Sequence, residues 1–241
     1  MMKNTLLICG YGAGISHAVA CRFGKAGHPV ALVARNVERL AGAVAELAAE
    51  GILAHAFPAE LSDVNAIRRT ITDVHDTLGP ISVLHWNAFL DIDGDLLSTP
   101  PVSLGQSVDV RVVSYITAVQ GCIADLAASK GTVLVTSGVM ALDDTTINAF
   151  AVDYAALAIS VAAQCKATHL LRHILAPHEV HVGEVIVNGF VEVTPGGLGK
   201  SNTVSPMAVA DQFWELHTAR RENSVIVGGA VPISETVLYS C

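Results

Sequence analysis

Residues 5–20 read TLLICGYGAGISHAVA, and the fold turns on them. The apolar run Leu6-Leu7-Ile8 leads directly into Gly10, Gly12 and Gly14, and these lead into a small-residue segment with helical spacing. That order predicts a strand, a tight corner and the start of a helix. Glycine suits such a corner because the backbone must turn sharply and let a ligand come close. A helix N-terminus also leaves amide N–H groups facing negative charge. A glycine trio alone also fits a purely structural turn. What weights it toward a dinucleotide pyrophosphate is its place directly after a strand and at the head of a βαβ pattern.

The rest of the chain continues that pattern. Apolar, β-branched runs recur at 30–34, 52–57, 81–86, 132–136, 180–187 and 224–227. Helically periodic or Ala-rich segments separate them at 16–25, 37–50, 64–78, 104–129 and 150–175. Strands alternating with helices predict a doubly wound α/β fold of the Rossmann type, with about seven parallel strands and helices on both faces. Residues 1–241 are expected to form one domain, since no linker, repeat or low-complexity tract interrupts them. Segments 91–103 and 194–206 are the expected loops. The 150–175 helix shows apolar or small residues all round its first turns, which predicts either a well-covered core helix or a subunit interface.

Composition narrows the setting. Hydrophobic residues make up 51% and charged residues 15%, which excludes disorder. A net charge of −8 without a basic run argues against nucleic acid. The apolar stretch before Gly10 is too short for a signal-peptide core or a membrane span. Five cysteines without a C-x-x-C pair fit reduced thiols in a cytoplasm.

The second strand ends in Ala34-Arg35-Asn36, where the side chain that meets the adenosine ribose emerges in dinucleotide folds. An acid there would bind a ribose 2′-hydroxyl, whereas the Arg35 guanidinium, with Asn36, suits a 2′-phosphate. NADP(H) is therefore expected over NAD(H). The plainer reading is a solvated arginine paired with Glu38.

With these residues on the page, the chain resembles the short-chain dehydrogenase/reductase family over nearly its whole length. That family opens with T-G-x-x-x-G-I-G. Here the counterpart is Cys9-Gly10-Tyr11-Gly12-Ala13-Gly14-Ile15-Ser16, without the first Thr and the last Gly. Glu60-Leu61 matches the acidic-apolar pair at the adenine, and Trp86-Asn87-Ala88-Phe89 stands where the family has N-N-A-G. The resemblance implies that Gly10, Tyr11, Gly12, Gly14, Ile15, Arg35, Asn36, Glu60, Leu61, Asn87 and Ala88 contact the cofactor. It also aligns Tyr154 with the family's general acid/base. The lysine four residues later is replaced by Ala158, the serine by Gly138 with Ser137 one place earlier, and the helical asparagine by Arg111. After the sixth strand, Asn188-Gly189 stands for the family's Pro-Gly.

These replacements have a size. A free phenol of pKa about 10 is ionised in only about one molecule per thousand at pH 7, and Ala158 offers nothing to lower that pKa. Loss of a tuned acid/base group costs about 10²- to 10⁴-fold in rate. Arg111 offers a substitute positive charge for a phenolate or developing alkoxide. Tyr154, Arg111 and Ser137 are thus the candidate catalytic residues, although a tyrosine on an apolar helix is more often a packed one.

Other constellations are weaker. His169 and His173 have zinc-chelating spacing on a helix, but no Cys or carboxylate completes a set in the sequence, so no metal is expected. His85 ends the fourth strand and reads better as a packed residue than as an acid/base. The expected function is NADP(H)-dependent hydride transfer to or from a small-molecule carbonyl or alcohol. The competing reading is a catalytically silent NADP(H)-binding protein acting through a partner. A homodimer or homotetramer is expected through the helices around 104–129 and 150–175.

Overall fold

The protein is described from a computed structural model covering residues 4–233; Cys241 therefore lies outside the described residues. Seven parallel strands form the central sheet. They are β1 (Thr5–Cys9), β2 (Val30–Ala34), β3 (Ala54–Pro58), β4 (Ile81–Trp86), β5 (Thr132–Gly138), β6 (His181–Asn188) and β9 (Ser224–Gly228), in the order β3-β2-β1-β4-β5-β6-β9. Strands so uniformly apolar must be covered on both sides. One face packs α1 (Ile15–Lys25), α2 (Val37–Ala49) and α8 (Pro206–Ala219), whose Val19, Phe23, Leu40, Leu47 and Phe213 are fully enclosed with Leu6, Ile8 and Leu32. The other packs α3 (Val64–Leu78), α5 (Tyr115–Ser129) and α7 (Ala155–Leu175), through Ile67, Val74, Leu126 and Leu171, against Leu7, Leu84 and Val133. Burying each such side chain contributes about 1.5–3 kcal/mol. This is the Rossmann-type doubly wound sheet.

Strand order reverses beside β1, which has β2 on one side and β4 on the other. The ends of β1 and β4 therefore frame the crevice in which open α/β sheets bind ligands. Gly10 and Asn87 stand there, and the Asn87 amide donates to the Cys9 carbonyl at 2.9 Å.

Several elements differ from expectation. β3 begins at Ala54 rather than at 52, and the chain from 104 to 129 is not one regular helix. It comprises α4 (Pro101–Val108), a π-helical turn (Asp109–Ser114) and α5. Continuous apolar spacing cannot show which turn is widened. The segment 150–175 is also broken: α6 (Thr145–Ala151) ends before Tyr154, and α7 begins at Ala155. The cause is tertiary. The Gly94 amide donates to the Asp153 carbonyl at 2.7 Å and the Ala155 amide to the Gly94 carbonyl at 3.1 Å, so the loop after β4 holds Asp153 and Tyr154 out of the helix. α8 and the short pair β7 (Phe190–Val191) and β8 (Thr203–Val204) lay outside the sequence reading.

The joined helices Pro101–Ser129 are long and apolar enough in composition to cross a membrane. In the fold, Tyr115, Ala118, Val119, Cys122 and Leu126 pack into the core. Cys9, Cys21, Cys122 and Cys165 are buried and form no disulfide.

Candidate functional site

The corner after β1 is built on Gly10, whose φ of +90° disfavours any side chain. A methyl group there would sit 2.5 Å from the Ala88 nitrogen, so β4's exit and the turn need glycine to approach each other. The Gly10 and Tyr11 amides donate to the Val33 carbonyl, which ties the corner to β2. Ser16, in place of the family's last glycine, knits the turn: its Oγ accepts from the Gly12 amide at 2.9 Å and from Asn87 Nδ2 at 3.3 Å. Asn87 Nδ2 also donates to the Gly10 carbonyl at 3.1 Å.

The amides of Ala13, Gly14 and Ile15 make no hydrogen bond among the described residues. These are the unsatisfied donors of a helix N-terminus, and they carry its positive dipole end. A methyl group at Gly12 would meet nothing within 4 Å, so the corner is open on that side. Above Gly14, however, lies the loop after β7, with Thr194 Cγ2 2.7 Å from where a Gly14 methyl would sit. Sequence reading missed Thr194 as a site residue. Its neighbour Val193 has φ +58°, unusual for a β-branched side chain and typical of strain held at functional loops.

Arg35 stands at the end of β2, mostly exposed, with Nη1 3.7 Å from Glu60 Oε2. The carboxylate beside it is thus Glu60, contributed by the chain after β3, and not Glu38. An exposed pair of this kind is worth only about 0–1 kcal/mol, so Arg35 is easily drawn to another anion. Asn36 caps α2, its Oδ1 accepting from the Arg39 amide at 2.8 Å, so that oxygen is engaged locally. Tyr11 hydrogen-bonds His17 Nδ1 at 2.7 Å with its ring buried, and Ile15 and Leu61 face the core. These three pack behind the turn and beside the end of β3.

At the ends of β4 and β5 the pieces differ from the family's set. Tyr154 is the cap residue of α7 rather than part of its body, with its ring 5.5 Å from Phe150. Ala158 lies one turn along. Arg111 sits on the π turn and is 7% exposed. Its Nη1 donates to Gln164 Oε1 at 3.2 Å, and Gln164 Nε2 donates to the Thr136 carbonyl at 3.0 Å. Its guanidinium carbon lies 5.3 Å from the centre of the half-exposed Phe89 ring. Burial pulls the Arg111 pKa down to about 10, still charged at neutral pH. Ser137 Oγ is enclosed without a hydrogen-bond partner, and strand alternation puts it on the face shared by Val133 and Val135. His85 is fully buried: Nε2 meets Thr136 Oγ1 at 3.1 Å, the ring packs on Phe213, and burial lowers its pKa to about 3. It is a neutral core residue.

The zinc-like spacing on α7 resolves differently from its sequence reading. Cys165 and Glu184 join His169, all three ligand atoms lying within 4.8 Å of one another. The buried Glu184 carboxylate already has a counter-ion, Arg172 Nη2 at 3.2 Å, with His169 Nε2 at 3.4 Å from the same oxygen. An ion pair locking α7 to β6 accounts for the cluster.

Fold and corner together define an open, doubly wound α/β protein of the Rossmann class with a phosphate-type turn at its switch point. The chain belongs to the short chain dehydrogenase family, whose sequence profile matches residues 4–199. It is 33% identical over 84 residues to a short chain dehydrogenase of Pseudocercospora fijiensis, covering 35% of this chain and 27% of that protein. It is 39% identical over 77 residues to 2,3-dihydro-2,3-dihydroxybenzoate dehydrogenase of Bacillus subtilis, covering 32% of this chain and 30% of that protein. The matched segments thus span only about 27–30% of these relatives' lengths. Among solved structures, a metagenomic short-chain oxidoreductase in complex with NADP superposes with TM-score 0.76 at 23% identity, covering 93% of this chain and 96% of that one.

Proposed function

We propose that the protein is an NADP(H)-dependent oxidoreductase acting on a small-molecule carbonyl or alcohol. The observation that carries this reading is the open corner, where unpartnered amides of Ala13, Gly14 and Ile15 sit at the switch point. A pyrophosphate fits there because those donors lack partners among the described residues and Gly12 leaves room. Arg35 and Asn36 would meet the 2′-phosphate, Glu60 and Leu61 the adenine side, and Asn87 and Ala88 the nicotinamide half. The NADP-bound neighbour supports the cofactor choice. When bound, the nicotinamide supplies or accepts the hydride. Tyr154 then donates or takes the substrate-oxygen proton, with Arg111 providing the positive charge that Ala158 does not, and Ser137 the weakest member of the set.

The second reading, a silent NADP(H)-binding protein, is favoured by Ala158 and Gly138 standing at two positions the family uses for chemistry. Titrating the protein with NADPH and with NADH, read by nucleotide fluorescence, tests the site: tight NADPH and weak NADH binding is expected. NADPH consumption across a carbonyl panel then separates enzyme from silent binder. A homodimer or homotetramer in the cytoplasm is part of the proposal. Its support is the exposed apolar row Val113, Ile159, Leu170 and Ile174 along α7 and the π turn, and the check is sedimentation equilibrium.

A further inference from the structure

Arg111, which the proposed chemistry uses only as a positive charge, presents a physical anomaly in the way that charge is held. It is a buried guanidinium with no carboxylate within ion-pair distance among the described residues. Among the described residues its only hydrogen bond goes to a neutral amide, Gln164 Oε1. A buried unpaired charge is costly, and folds retain one where something else supplies the counter-charge. Arg172, a half-buried arginine in the last turns of α7, shows the ordinary solution, a buried Glu184 at 3.2 Å.

The free part of Arg111 has a definite shape. Nη1 is occupied, while Nε is enclosed without a partner and Nη2 makes no hydrogen bond among the described residues. Nε and Nη2 share one edge of the guanidinium plane, the edge that grips a carboxylate with two parallel N–H···O bonds. Gln164 is itself anchored to the Thr136 carbonyl at 3.0 Å, so the plane is held in orientation before any ligand arrives. The place is also right for a ligand. Arg111 stacks on Phe89, which follows β4, and Gln164 ties it to the end of β5, both at the ligand-binding edge of the sheet.

We infer that Arg111 is a carboxylate clamp, and that the substrate is a carbonyl or hydroxy compound bearing a carboxylate near its reacting carbon. This rests on the proposed function for the position of the reacting carbon, but the clamp itself is testable without turnover. The Phe89 ring covers the guanidinium and is half exposed on an irregular segment, so it swings aside as the acid enters. Arg111 is thereby a specificity-determining residue as well as a source of local positive charge. Its unpaired burial is a standing cost to the ligand-free protein.

The test measures the melting temperature of the protein, with and without NADPH, against a panel of small 2-oxo and 2-hydroxy carboxylates, each matched with its primary amide. Carboxylates are expected to raise the melting temperature, and amides are not. Arg111→Met should abolish the carboxylate effect, Arg111→Lys should retain a weakened part of it, and the ligand-free Arg111→Met protein should melt above the wild type. Equal shifts from acids and amides, no shift from any acid, carboxylate shifts that survive Arg111→Met, or an Arg111→Met protein melting well below wild type would each overturn the clamp. NADPH fluorescence, read in the same samples, reports separately on the cofactor assignment. Loss of NADPH binding with the carboxylate effect intact would sink the proposed function and leave the clamp standing.

Discussion

The two halves of the sheet edge are built on different logic. Around β1, β2 and β3 the candidate site is mostly backbone: Gly10 turns the chain, Val33 fixes it, and the amides of Ala13, Gly14 and Ile15 have no partner among the described residues. Around β4, β5 and α7 it is side chains: Tyr154, with Arg111, Gln164 and Ser137 near it in the fold in place of the partners the family usually gives the tyrosine. Backbone recognition tolerates sequence change because every residue carries the same N–H, and so the half proposed to hold the cofactor keeps its form. Chemistry by side chain has no such tolerance. The half proposed to do the chemistry therefore shows where this chain's residues depart from the family's usual set.

The comparison breaks first at Tyr154. Tyr154→Phe is expected to lower NADPH-dependent turnover by about 10²- to 10⁴-fold while leaving the NADPH dissociation constant unchanged, as steady-state kinetics beside fluorescence titration will show. If turnover survives, the proton comes from elsewhere and the two halves are less separate than they look. In the cofactor half, Gly10→Val forces a β-branched residue to φ +90° and into Ala88. The expected loss is about 3 kcal/mol of stability in urea unfolding, together with loss of measurable NADPH binding.

A smaller effect is expected at Arg35. Arg35→Ala should weaken NADPH binding roughly tenfold, the loss of one charge-assisted contact, and leave NADH binding as it was. Equal weakening of both nucleotides would remove the guanidinium from the 2′-phosphate. The least effect concerns His85, in the core of β4. Burial keeps the folded imidazole neutral down to about pH 3, whereas an unfolded one charges near pH 6.5. Protons therefore favour the unfolded chain across that window, and stability falls as pH drops through it. His85→Asn should flatten the acid limb of the stability curve; an unaltered limb would assign it to other groups, such as His181, whose pKa burial lowers to about 4.

The two halves were also unequally legible in the sequence. The glycine corner could be read because a strand, three glycines and a helix start are local features, and the pattern of apolar runs gave the doubly wound sheet for the same reason. The partner of Arg35 could not be read. Glu38 is near in sequence, but Glu60 is brought alongside by β2–β3 pairing. Tyr154 was expected within a helix, since apolar spacing runs through it, and only the hydrogen bonds from Gly94 show that the helix must restart after it. The zinc-like histidines looked short of ligands until β6 delivered Glu184, already balanced by Arg172.

By itself the sequence determined the alternation of strands and helices, the backbone corner at Gly10 and the loss of lysine at position 158, because each depends on residues adjacent along the chain. Tertiary structure decided which charges meet, which helix breaks, and that Arg111 is buried with one edge unpaired. Those outcomes depend on elements far apart in sequence being packed together, where desolvation makes an unmatched charge costly enough to carry meaning.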